Sequence, residues 1–332
     1  MSESLMIGPW IRRFLLEHMI GERNLARNTQ ISYRDTLTLL LPFAARRLRK
    51  PIDRLEVEHL SPDLVRAFLS YLEQERQCSV ASRNQRLAAV HALAHFIGGH
   101  SPVHIAWCAQ IRAIPFKKTM KNPLPYLDKP ELDALLEAPD KKSTQGRRDH
   151  AILLFLYNSG ARADEAARLT LADLELGRTP SVRLCGKGGK TRHCPLFTDT
   201  SEALNSLASG RSPNERLFLN RQKQPMTRYG IYALVKRYAR QVAEEVPSLQ
   251  RKDVSPHVLR HTSAVHLLRA GVDINTIRGW LGHISLDTTN IYAEIDLEMK
   301  AKAIAQCEIK DSPGWSRPWQ KDHKLMTFLK AL

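Results

Sequence analysis

Residues 114–125 read IPFKKTMKNPLP, three prolines and three lysines with neither a helical nor a strand period. Each proline lacks a backbone N–H and pushes the residue before it out of the helical region, so no regular element crosses this stretch. A chain broken there folds as two bodies with separate cores. At 332 residues, both halves are long enough to build one. The sequence therefore predicts a first domain at 1–112, a linker at 113–126, a second domain at 127–307 and a tail at 308–332.

The first half carries only helical signals. Apolar residues recur at helical spacing from Ile7 (Trp10, Ile11, Phe14, Leu15, Met19). Asn28 or Thr29 opens a second helix through Tyr33, Leu37, Leu40 and Leu41, which Pro42 is expected to kink or end. Ser61 before Pro62 starts a third, and Ser79 or Ser82 a fourth that runs to Ile97.

The second half mixes periods. A helix restarts at 127–131, and a buried helix at 151–157 stops at Asn158-Ser159-Gly160. Residues 181–197, SVRLCGKGGKTRHCPLF, read as a β-hairpin: Val182 and Leu184 share one side, and a glycine-rich turn precedes the returning strand. The run GKGGKT is not a nucleotide-binding loop, because Leu184 stands where that pattern needs glycine and a strand follows where it needs a helix. Helices are predicted again at 198–207 and 227–246. The fold class is mainly α with a small β-sheet (α+β).

Lysine and arginine outnumber aspartate and glutamate by 50 to 34, a net charge of +16. Residues 1–115 hold 15 basic and 10 acidic side chains, so +5 lies there and +11 beyond. An anionic polymer is the expected partner, although a basic surface that is merely solvated has the same charge. No leader pattern and no run of 18 apolar residues occurs, which predicts a soluble cytoplasmic protein. Cys78, Cys108, Cys185, Cys194 and Cys307 lack paired spacing and read as reduced thiols. Cys185, His193 and Cys194 do not have the spacing of a zinc ribbon.

Residues 255–292 gather the chemistry. Ser255 can cap a helix and Pro256 suits its first position, which sets His257 and Arg260 three apart on one face of the first turn. Gly271 and Asp273 read as a stop and a new cap. Ile274, Ile277, Trp280 and Leu281 follow as a second helix, which Gly282 ends just before His283. Tyr292 stands nine residues later, on a short helix that Ser285 or Asp287 can cap. Two histidines, an arginine and a tyrosine at helix ends suit a phosphate and an attacking hydroxyl. His261 and His266 share the first of these helices and read as structural.

The run HVLRHTSAVHLLRAG followed by LGHISLDTTNIY resembles the C-terminal signature of the tyrosine site-specific recombinases, the phage integrase family. The resemblance implies that His257, Arg260, His283 and Tyr292 belong to one active site. In GARADEAARLTLADLEL, Arg162 and Glu165 match the family's earlier arginine and the glutamate three residues after it. Without the resemblance, Arg162 would be read as pairing with Asp164 or Asp173. Lys187 matches the catalytic lysine of the family's Gly-Lys-Gly hairpin turn.

What the family does then becomes an expectation for this chain. A helical core-binding bundle and a catalytic domain close around double-stranded DNA, as a homotetramer or as a hetero-tetramer with related recombinases. Tyr292 attacks the scissile phosphodiester and forms a 3′-phosphotyrosyl link, Arg162 and Arg260 hold the non-bridging oxygens, and Lys187 protonates the departing 5′ oxygen. His257 is the candidate base and His283 donates to the phosphate. No cofactor or metal is expected. Candidate DNA contacts are Arg27, Arg83 and Arg86 near helix starts, Lys117 and Lys118 in the linker, Lys190 and Arg192 in the hairpin, and Arg228 and Lys236 in the 227–246 helix. Each also fits an ordinary solvated face, with Tyr229 and Tyr232 half in the core. The YAEIDLEMKAKA run resembles mobile-element members, so integration, excision or transposition is the expected role, and no arm-binding domain precedes the core. Chromosome-dimer resolution, a type IB topoisomerase and a catalytically silent DNA-binding regulator are the alternatives. The tail holding Trp315 and Trp319 fits packing on a neighbouring protomer or on its own domain.

Overall fold

The computed structural model describes residues 5–119, 124–186 and 189–282, together with 327 and 331. The chain divides into two compact units at 122/123.

In the first unit, α1 (Ile7–Arg13) runs without a break into a π-wound segment, Phe14–Glu22. The π winding decides which side chains are buried: Phe14 and Met19 are five apart, too far round an α-helix to share a face, and the wider turn brings both inward. Four helices follow, α2 (Arg27–Leu48), α3 (Pro62–Gln74), α4 (Val80–His100) and α5 (Ile105–Arg112). Pro42 does not end α2, one of the two outcomes expected of it, and stands inside the helix. It lies on the exposed side, and the carbonyl it leaves unpaired, that of Thr38, is also on an exposed residue where water can serve. Ser61 and Ser79 cap α3 and α4 by accepting from the amides of Leu64 and Ser82. Phe68, Leu72, Leu93 and Ile97 form the centre of this core. Each such side chain contributes about 1.5–3 kcal/mol by leaving water.

The stretch read as a linker is tied down on both sides of residues 120–123, which lie outside the described set. On one side, Arg83 Nη1 donates to the Pro115 carbonyl and Asn84 exchanges two hydrogen bonds with the Lys117 backbone. On the other, the Leu127 amide donates to Thr262 Oγ1 and Lys252 Nζ donates to the Tyr126 carbonyl.

The second unit opens with α6 (Lys129–Glu137), whose start is a capping box between Asp128 and Glu131. Next come α7 (Thr144–Ser159) and α8 (Ala163–Arg168). A three-stranded antiparallel sheet follows, β1 (Leu174–Glu175), β2 (Ser181–Cys185) and β3 (Thr191–Pro195). Val182 pairs with Cys194 and Cys185 with Thr191, so the hairpin has the expected register, and the two-residue β1 joins it unforeseen. The chain continues through α9 (Thr198–Ala208), α10 (Arg228–Ala243), α11 (Pro256–Arg269) and α12 (Ile274–Leu281). Ile152, Phe155, Leu156, Val182, Leu184, Phe218, Val235 and Leu259 close one core around α7 and the sheet. A buried carboxylate, Asp149, takes hydrogen bonds from Arg148, Arg237 and Tyr238 and so pins α7 to α10. A smaller cluster of Val265, Leu268, Ile277 and Leu281 joins α11 to α12. No helix among the described residues is long and apolar enough to cross a membrane.

Candidate active site

The site is built where four helices end or begin. Helix α7 stops at Gly160, which takes the left-handed conformation with φ of +56°. Only glycine does this without strain, and a Cβ here would also run into Leu281 Cδ2 of α12. Two residues on, Arg162 occupies the N-cap position of α8, and its amide and Nη1 donate to Glu165 at 3.0 and 2.6 Å. Its Nε and Nη2 take no protein acceptor among the described residues, and the side chain is about a third exposed. Neither expected alternative partner holds it, because Asp164 pairs with Arg168 and Asp173 with Arg183.

Arg260 enters from the first turn of α11 and is only 3 % exposed. Its Nη1 donates to the Gly160 carbonyl and its Nη2 to the Leu281 carbonyl, each at 2.6 Å. Both acceptors lie at helix C-termini, where the aligned peptide dipoles concentrate negative charge. A buried cation is thereby stabilised by two helix ends. Pro256 occupies the expected first position of α11, but the Ser255 hydroxyl makes no capping bond. Asp273 does cap α12, accepting from the amides of Asn275 and Thr276, and Gly282 ends it with φ of +65°.

His257 sits one turn before Arg260 and stacks on His261 with ring centroids 5.9 Å apart. Its pKa is held below the ordinary histidine value, first by desolvation and then by the positive charges of Arg260 and Arg162. His257 as a whole remains exposed. His261 lies deeper and is pushed down to about 4 by burial, with His257 and Arg260 adding to the effect. Both rings are therefore mainly neutral at physiological pH, and His257 is the more exposed of the two. Arg162, Arg260 and His257 are thus close to one another.

Behind Arg162 lies a residue whose role the sequence reading missed. Arg192, on β3, is 9 % exposed at its side chain; Nη2 donates to Glu165 Oε2 at 2.9 Å and Nε to the Trp280 carbonyl at 2.8 Å. Burial alone would raise the Glu165 pKa, but the hydrogen bond and charge of Arg192, with two hydrogen bonds from Arg162, outweigh it and hold the carboxyl below its usual range. Arg192 was expected at the DNA surface; a guanidinium committed to an internal carboxylate and a helix end is not there. Its alternation in β3 was the available signal, since Arg192 and Cys194 share the inward face.

Arg83 needs the same correction. It is 6 % exposed, with Nη1 on Asn84 and on the Pro115 carbonyl, and so lies inside the first unit. Arg86 is half buried, and the Nε atoms of both arginines lack a protein partner among the described residues. Lys117 is paired with Glu73, and Lys236 with Asp253. Arg27, Lys118, Lys190 and Arg228 are exposed. Tyr229 and Tyr232 are 69 % and 45 % exposed, not half in the core, and Arg228 stacks on the Tyr229 ring while donating to its hydroxyl. Lys187, His283 and Tyr292, with the segment that follows and the tail apart from residues 327 and 331, lie outside the described residues. The root of the Lys187 turn is described: the Gly186 amide donates to the Lys190 carbonyl at 2.7 Å. Among the described residues no group of His, Cys, Asp or Glu is arranged to hold a metal ion. Burial raises the Cys194 thiol to about 12, leaving it inert.

Comparison with known proteins bears on the same residues. A family model described as the phage integrase family matches residues 125–299, and one described as the phage integrase N-terminal SAM-like domain matches residues 11–97. A Sinorhizobium fredii protein named as an integrase/recombinase, y4rC, is 38 % identical over the full length of both chains. The tyrosine recombinase XerD of Vibrio cholerae is 32 % identical over 90 % of this chain and 96 % of its own. Two solved structures share the fold. XerH recombinase bound to its palindromic difH substrate has a TM-score of 0.67 and 24 % identity, over 86 % of this chain and 82 % of that one. The Tn1549 transposon integrase with circular-intermediate DNA has a TM-score of 0.69 and 14 % identity, over 91 % and 99 %.

Proposed function

Because this chain belongs to the phage integrase family of tyrosine recombinases, it is a DNA strand-transferring enzyme, and we propose that it integrates, excises or transposes a mobile element through a 3′-phosphotyrosyl intermediate. Tyr292 attacks the scissile phosphorus and the 5′ oxygen leaves. Arg162 and Arg260 neutralise the charge that grows on the non-bridging oxygens, in the forked geometry that guanidinium groups give. Lys187 gives its proton to the leaving oxygen, and His283 donates to the phosphate. A phenol with a pKa of about 10 is a weak nucleophile at neutral pH, so His257 accepts its proton. The phosphodiester energy stays in the tyrosyl ester, so a second strand's 5′ hydroxyl reverses the step and reseals DNA.

The observation that carries this reading is the gathering of Arg162, Arg260 and a neutral His257 at the ends of α7, α11 and α12, in a chain whose catalytic family match also spans Lys187, His283 and Tyr292. The chain works as a tetramer on two double-stranded sites; a lambda integrase structure with the same fold is a tetramer on a Holliday junction. Chromosome-dimer resolution is the second reading, favoured by the similarity to XerC and XerD proteins. Replacing Tyr292 with Phe tests the chemistry: wild type is expected to form a covalent adduct on a nicked duplex, and the variant none. Adduct formation by the variant would remove Tyr292 as nucleophile. Strand exchange between two differently labelled duplexes separates recombination from topoisomerase activity, and recombination between the ends of the DNA flanking the coding region separates mobility from dimer resolution.

A further inference from the structure

Arg192 ties together three parts of the second unit that are distant in sequence. Its Nη2 holds Glu165, whose other oxygen holds Arg162; its Nε holds the Trp280 carbonyl, one residue before the Leu281 carbonyl that Arg260 holds. Two arginines from different elements therefore clamp successive carbonyls at the end of α12. Gly282 follows directly, and a Cβ there would stand 3.1 Å from Arg192 Cδ and 3.2 Å from its Nη1. Glycine is needed at 282 both for its left-handed backbone and for the passage of Arg192. The hairpin turn closes on the same carboxylate, since a Cβ on Gly186 would lie 3.4 Å from Glu165 Oε1.

Resting on the active-site reading above, we propose that Arg192 is a positioning residue for DNA cleavage: it couples the Glu165–Arg162 pair to the end of α12 and so fixes the point from which the chain leaves toward His283 and Tyr292. A phosphate contact needs only an accessible positive charge, whereas this guanidinium is buried with two acceptors inside the protein. The planar fork matters as well as the charge. Nε and Nη2 reach a carboxylate and a carbonyl together, which the single ammonium of lysine does not reproduce.

The experiment uses the full chain and a labelled, nicked duplex spanning the DNA that flanks its own coding region. Single-turnover adduct formation is measured at saturating protein, with duplex affinity across a salt series and Tm alongside. Arg192→Gln and Arg192→Lys are each expected to slow adduct formation about 100-fold, as a displacement of about 1 Å does, with affinity and salt slope unchanged. The deficit is expected to persist on a duplex with sulfur at the scissile 5′ bridge, which leaves without needing a proton, whereas Lys187→Ala is relieved by it. Wild-type rate in both variants, a fall only in Tm, or full rescue by lysine overturns the proposal. So does a parallel fall in affinity and salt slope, the mark of a phosphate contact, or relief by sulfur, which would place the effect on Lys187. Should the glutamine variant not fold, the lysine variant carries the same readings. A wild-type chain that forms no adduct would instead sink the active-site reading itself.

Discussion

The guanidinium of Arg260 donates to the carbonyl oxygen of Gly160 at 2.6 Å, joining the first turn of one helix to the residue that caps the C-terminus of another. Everything at the site depends on the backbone keeping that shape at Gly160. Replacing it with alanine forces a left-handed alanine and drives a methyl group into Leu281, with Arg260 Cγ 3.7 Å away. The left-handed conformation costs about 1–2 kcal/mol and the overpacking about 1–3 kcal/mol. Gly160→Ala is expected to unfold about 2–5 kcal/mol more easily, read by denaturant titration, and to lose adduct formation at temperatures where it remains folded. Gly177→Ala, where the Cβ meets nothing, is the control.

His257 sets the acid side of the rate profile. Its pKa is lowered by desolvation, Arg260 and Arg162, so the neutral, proton-accepting ring persists below the ordinary value of about 6.5. Adduct formation is expected to stay flat from neutral pH down through that value and to fall only at lower pH, with His257→Gln removing the fall and slowing the plateau. A limb centred above 6.5, or one that the substitution leaves in place, would show that another group is the base.

How much of this was legible in advance divides by range of interaction. Caps and stops are local, and Ser61, Ser79, Asp273, Gly160 and Gly282 stand where residue type and spacing put them, although the Ser255 hydroxyl makes no capping bond. The hairpin register followed from alternation in the same way. Partner choice among charges did not. Glu165, Asp164 and Asp173 are equivalent on paper, and only the fold decides that Arg162 and Arg192 meet at Glu165 while the others take Arg168 and Arg183. Arg83 and Arg192 misled for a related reason: arginine reads as surface, and burial depends on acceptors more than 25 residues away in sequence, the Pro115 carbonyl and Glu165. The π winding of 14–22 has no residue signature of its own; it follows from burying Phe14 and Met19 together.

Acid should loosen the second unit through Glu165. Its carboxyl is held below the usual range in the folded chain, so the unfolded chain binds the proton more readily. The stabilisation is present above the unfolded carboxylate value, about 4.3, and is lost as pH falls from there through the lowered folded value. Glu131 and Asp173 have pKa values lowered in the same direction, and steepen the loss over that window. Glu165→Gln is expected to be less stable at neutral pH and less sensitive to acid than wild type, measured by thermal melting from neutral pH down to pH of about 3. Parallel acid profiles for the two proteins would show that Glu165 is not the sensor.

Duplex affinity should separate exposed cations from internal ones. Each phosphate neutralised releases counterions and adds about 0.9 to the slope of log affinity against log salt. The side chains of Arg27 and Lys190 are exposed and make no ion pair or hydrogen bond within the protein among the described residues, so truncating either costs no side-chain contact. Arg27→Ala and Lys190→Ala are each expected to lower the slope by about one, with Tm unchanged. Arg83 is spent on Asn84 and the Pro115 carbonyl, so Arg83→Ala should lower Tm and leave the slope as it was. Lys117 is intermediate: binding a phosphate means giving up Glu73, so its removal frees that carboxylate near the duplex and should weaken binding by less than a free lysine does. Fluorescence anisotropy across a salt series reads all four variants. A slope that falls for Arg83→Ala and holds for Arg27→Ala and Lys190→Ala would reverse the assignment, placing the duplex against the arginines that the fold has turned inward.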